Sequence, residues 1–234
     1  MRAIYAAAFL LFTCATPGAK PHDMSTAGHE ATASEHDRTA AEHAGRYDQG
    51  AQLRSPACGA SARAGSAAGY GYDACWSSVL NPTEGHLNEA EAHRRHAADH
   101  RAASAALREA EARACQGIAP GERDMSPFEH AEDVSSVLPV EGGARIIFRP
   151  VEGLTADGLQ RHVDCHLARN ASLGHDVPEM PACPLVPKGA TAKVSAVPGG
   201  FEVLVRADDP QVARQILERA QRLRATGGAP ASAR

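Results

Sequence analysis

The sequence predicts an α+β protein: a histidine-rich, alanine-rich helical N-terminal region followed by a small ββαββα two-layer sandwich. Three observations predict it. Large apolar side chains concentrate after Val134, whereas only thirteen residues of the types Val, Ile, Leu, Met, Phe, Tyr and Trp lie between Asp23 and Asp133. Histidines recur every seven residues in two proline-free, alanine-rich stretches. After Val134, short alternating runs give way twice to helical periodicity. The 43% hydrophobic fraction overstates the core, because 48 of the 234 residues are alanine and alanine buries little surface. A net charge of -4 with no basic block leaves no nucleic-acid footprint.

The chain opens with a targeting signal, residues 1–13. Arg2 precedes an apolar run from Ala3 to Thr13, too short to span a bilayer. The run ends Leu11-Phe12-Thr13-Cys14. This resembles the lipobox of bacterial lipoproteins, in which leucine stands three residues before a lipidated cysteine. Phe12 is bulky for that pattern, and Thr13 stands where glycine or alanine is usual. The resemblance implies lipidation of Cys14, a membrane anchor, and a place in the bacterial envelope, periplasmic or at the outer membrane. Ala15, rather than an aspartate, leans towards the outer membrane. The alternative is an ordinary signal peptide cut after Ala19. Export permits disulfides. The expected pairs are Cys165–Cys183, which flank one loop, and Cys58–Cys75, which bracket a Gly/Ala/Ser-rich segment. Cys115 is then left over, unless it displaces one of them. No CxxC occurs, which argues against a thioredoxin-like dithiol or a zinc ribbon.

A polar tether, 14–24, leads into the helical region, 25–132. Ser25 to Tyr47 is rich in helix formers, and Gly45 and Gly50 end it. Residues 48–80 read as a glycine-punctuated loop. Asn81-Pro82-Thr83 introduces a long helix to Cys115, with Thr83 as its N-cap. Laying His29–His43 on His86–His100, an offset of 57, gives seven identities in fifteen positions, as a duplication would. The α+β domain, 133–225, begins with two β-like runs, Val134–Val140 and Ala144–Val151, joined by Glu141-Gly142-Gly143. Thr155 caps a helix carrying Leu159, Val163 and Leu167. A proline-rich loop, 177–187, follows. Two more alternating runs turn at Pro198-Gly199-Gly200. Pro210 opens the last helix, with Val212, Ile216 and Leu223 on its buried face. The order ββαββα predicts an antiparallel sheet with both helices on one side. Residues 226–234 form a disordered tail.

Val151-Glu152-Gly153-Leu154-Thr155-Ala156-Asp157-Gly158-Leu159, running on to Val163-Asp164, resembles the strand-to-helix turn of heavy-metal-associated ferredoxin-like domains. That family carries Gly-Met-Thr-Cys-x-x-Cys there. Its two cysteine positions are Ala156 and Leu159 in this chain, so its metal site transfers to no residue. The resemblance implies a fold only.

The candidate chemistry lies in the histidines. On a helix, His93/His96 and His96/His100 are neighbours, and each pair can offer two imidazole nitrogens to one ion, with Asp99, Glu89 or the other helix as a further ligand. Imidazole suits zinc, nickel or copper. A seven-residue step rises about 10.5 Å, too far for chelation within one helix. It suits a stripe meeting a second stripe, so His29, His36 and His43 are candidates to face His86, His93 and His100. Bound metal would then staple the helices together. The competing reading is a solvated helix whose histidines respond to pH. A second set, His162, Cys165, His166, His175, Met180 and Cys183, invites a copper reading through Cys165, His175 and Met180. It is also accommodated by a Cys165–Cys183 disulfide and surface histidines. No phosphate loop, GxSxG or HExxH motif occurs. The expectation is a non-catalytic, lipid-anchored envelope protein that binds or buffers a divalent metal. The alternative is a structural or protein-interaction lipoprotein.

Overall fold

Residues 134–206 carry the alternation that builds a sheet, and the computed structural model folds them that way. It describes residues 16–51, 53–56 and 77–227. The signal segment, Cys14, Cys58, Cys75 and residues 228–234 lie outside the described residues. Strands β3 (Val134–Val140) and β4 (Gly143–Phe148) form a hairpin, as do β5 (Thr191–Val197) and β6 (Gly200–Arg206). The four strands are antiparallel in the order β3-β4-β6-β5. Helix α3 (Ala156–Ser172) follows the first hairpin and α4 (Pro210–Gly227) the second. The ββαββα order and the α+β class are therefore as the sequence predicts. The tight turns require glycine. A Cβ on Gly200 would stand 1.8 Å from the Phe148 carbonyl oxygen, and one on Gly143 would stand 2.1 Å from that of Val205.

One face of this sheet is dry. Ala144, Ile146, Phe148, Val203 and Val205 are buried with Leu159 and Val163 of α3 and Ile216, Ala220 and Leu223 of α4 in a single cluster. Both helices therefore cover the same face. The opposite face carries the Arg145–Glu202 ion pair at 3.0 Å. Thr155 caps α3 by accepting from the Gly158 N–H at 3.0 Å. The proline-rich loop is more than a connection. Leu185 and Val186 are fully buried, Asn170 donates to the Leu185 carbonyl at 3.1 Å, and His175 Nδ1 lies 2.8 Å from the Val186 carbonyl.

The long helices are α1 (Thr26–Arg46) and α2 (Glu84–Ala114). The segment expected as a plain loop between them contains two short antiparallel strands, β1 (Leu53–Pro56) and β2 (Ser77–Leu80), with Leu53 opposite Leu80 and Arg54 opposite Val79. The two strands lie near the ends of that segment. The tether segment holds a 3-10 turn, Pro21–Asp23, closed by the Lys20 N–H on the Asp23 carboxylate at 3.1 Å.

By contacts the chain divides into two compact units, Met1–Glu30 with His100–Arg234, and Ala31–Asp99. The divide falls inside α1 and α2. In the first unit, the end of α2 is tied to α3 by the Cys115–Cys165 disulfide and by Arg169, which pairs with Glu111 at 2.9 Å and with Asp124. The expected Cys165–Cys183 bridge does not form. Cys165 and His166 are successive helix positions and point to different sides of α3. Cys165 packs with Cys115 and Ile118, whereas Cys183 is a free thiol in the main core. In the second unit, Ala33, Ala40, Ala90 and Ala97 are buried between the helices. Its helix ends are joined through Thr83, whose hydroxyl accepts from the Asp48 N–H at 3.0 Å, and Asn81, whose side chain donates to the Asp48 carbonyl at 2.9 Å.

Candidate metal centre

Residues seven apart on an α-helix return to nearly the same side, drifting only about 20° per step. His29, His36 and His43 therefore share one side of α1, and His86, His93 and His100 share one side of α2. Four residues after a histidine on each helix stands a small side chain: Ala33 and Ala40 on α1, Ala90 and Ala97 on α2. These alanines bury completely or nearly so, and larger groups there would hold the helices apart. In the second unit the helices run antiparallel. His36 Nδ1 lies 3.0 Å from His93 Nδ1, and His43 Nδ1 lies 3.2 Å from His86 Nδ1. In the first unit His29 Nδ1 lies 3.1 Å from His100 Nδ1. The sequence repeat aligns His29 with His86, but the hairpin reverses that order. Only the central pair, His36 and His93, keeps the offset of 57.

Two ring nitrogens at this distance hold at most one hydrogen between them, so at least one lone pair of each pair points inward. The separation also suits a shared ion. Zinc–imidazole bonds of about 2.0–2.1 Å at a tetrahedral angle place two nitrogens about 3.3 Å apart.

The central pair gains a third imidazole from His96, one turn beyond His93. Its ring stands edge-on to His36, with centroids 5.1 Å apart. His36, His93 and His96 each offer a ligand atom, all within 4.8 Å of one another, and this group could hold a metal ion. His43 stacks on His93 at 5.7 Å, adding a fourth ring beside the group. Partial burial, followed by the neighbouring charges of His96 and His93, pushes the His36 pKa down. That favours the neutral ring a metal needs. An all-nitrogen set suits zinc, copper or nickel and is a poor match to calcium or magnesium, which take oxygen.

The expected residues thus separate. His36, His93 and His96 come together, with the other helix, rather than Asp99 or Glu89, supplying the third ligand. His43 pairs with His86. His100 belongs to the first unit, where it and His29 are buried. There the Pro21 carbonyl, 3.2 Å from His29 Nε2, must accept a hydrogen from it, which leaves His29 Nδ1 bare in the neutral ring. The histidine stripes face each other. The copper set built on Cys165 also fails, because that sulfur is in a disulfide. The contact that sequence reading missed is His166 Nε2 to Cys183 Sγ, 3.4 Å. Its signal was available: His166 lies three residues after Val163 and seven after Leu159, on the core side of α3. No helix among the described residues is long and apolar enough to cross a membrane. No known protein family, curated protein or solved structure matches the chain.

Proposed function

We propose that this chain is a non-catalytic metal-binding protein, holding one divalent transition ion at His36, His93 and His96. The observation that carries the reading is the convergence of three imidazoles from two helices within 4.8 Å. Three protein ligands leave a position for water, for His43 or for a partner's donor, as suits an ion that is bound and handed on. The export signal and the lipobox-like Leu11–Cys14 segment support placing this activity in a bacterial envelope, with lipid on Cys14 as the anchor. Zinc, nickel and copper are the ions the donor set favours. Calorimetric titration of the full chain with each ion tests the proposal. The expected result is one site tighter than millimolar that disappears when His36, His93 and His96 become alanine. Binding that survives all three replacements refutes it.

A further inference from the structure

Outside the hairpin histidines, the metal-ligating side chains that meet in the described structure are Cys183, His166 and their neighbours in the first unit. Cys183 and His166 are 3% and 2% exposed. A cysteine in a core is ordinarily a small apolar filler, but its neighbour here is not apolar. His166 presents Nε2 to the sulfur at 3.4 Å, and its Nδ1 is buried without a hydrogen-bond partner. Keeping an imidazole in that position is costly, and its one polar contact is the thiol.

Cys183 borders a cavity of about 280 Å³ together with Met180 and Ser126, and Asp124, Glu129 and Glu179 stand at its walls. The carboxylates favour entry of a cation, although Asp124 is paired with Arg169. Met180 and Cys183 both line the cavity. A metal bonded to a thiolate at about 2.3 Å and an imidazole at about 2.0 Å, at a tetrahedral angle, spaces the two by about 3.5 Å. The observed S···N distance therefore needs almost no rearrangement. Thiolate and thioether select soft ions, and imidazole is compatible with copper.

We infer that Cys183 and His166, with Met180 at the cavity wall, form a second metal site, specific for a soft monovalent cation such as Cu(I) and separate from the hairpin histidines. On loading, the Cys183 S–H bond breaks, its proton leaves to water through the cavity, and the sulfur bonds the ion. His166 contributes the Nε2 lone pair and changes neither charge nor oxidation state. Burial holds the His166 pKa down at about 4, so that lone pair persists across the neutral range. Burial raises the thiol pKa, so the ion must displace the proton rather than find a thiolate waiting.

The test uses the full chain carrying His36→Ala, His93→Ala and His96→Ala, which removes the site of the proposed function and makes the two readings independent. Cu(I), kept reduced with ascorbate, is titrated against a chromophoric Cu(I) chelator. One equivalent is expected to be retained. Cys183→Ser should weaken it by more than the roughly 100-fold that loss of an outer-shell partner costs, and His166→Gln should weaken it as well. Because Cys183→Ser also changes a core position, a second measurement needs no variant: one equivalent of Cu(I) should protect Cys183 of the parent chain from alkylation, read by peptide mass. Equal alkylation with and without Cu(I), or affinity unchanged by Cys183→Ser, overturns the inference.

Discussion

Replacing His93 with alanine should uncouple the second unit from metal. The only side chains this unit fully buries among the described residues are Ala33, Ala40, Ala90 and Ala97. Four methyl groups at about 0.8 kcal/mol each contribute roughly 3 kcal/mol, little against the entropy of ordering two helices. An ion at 100 times its dissociation constant adds about 2.7 kcal/mol, an increment as large as the whole apolar term. For a unit of this size, about 4–8 °C per kcal/mol turns that into a shift of roughly 10–20 °C. The assay is thermal melting of helicity by circular dichroism, in excess zinc and in chelator. His93 contacts His36 and stacks on His43, so His93→Ala should melt at one temperature in both conditions. A wild-type melt that ignores zinc, or a variant that keeps the full shift, would refute the reasoning.

Four further outcomes are expected. Cys115→Ser should destabilise the first unit by roughly 4 kcal/mol in the chain-entropy account of a 50-residue separation, measured by urea denaturation. Non-reducing peptide mapping should recover Cys115 linked to Cys165 and Cys183 as a free thiol. Ile216→Ala, at a fully buried core position, should cost about 2–5 kcal/mol while leaving metal binding by the hairpin intact in calorimetry. His166 is held down at about 4 in the folded chain against about 6.5 unfolded. The unfolded chain therefore takes up its proton first, so stability is retained above pH 6.5 and lost as pH falls towards 4. The loss is about 3 kcal/mol, read by denaturation in chelator, and His166→Leu should flatten it.

The sandwich was legible because its signals are local. Alternation at Ile146 and Phe148, the cap at Thr155 and the glycines at 143 and 200 each name an element without reference to a partner. The histidine stripes were legible as stripes, but their pairing was not. A heptad repeat marks a contact side equally well for parallel and antiparallel helices, and only closure of the hairpin puts His36 on His93 and moves His100 to His29. The disulfide was misread for a related reason. Sequence proximity favoured Cys183 for Cys165, whereas the choice depends on which side of α3 each side chain leaves. The buried His166–Cys183 contact needed the loop at 177–187 to fold into the core, which no local pattern in a proline-rich stretch announces.

X-ray absorption at the zinc edge of the zinc-loaded full chain tests the central claim most directly. The account predicts three imidazole nitrogens at about 2.0–2.1 Å around each ion, lost when His36, His93 and His96 are replaced together. An all-oxygen shell, or the same imidazole shell in the triple variant, would contradict it.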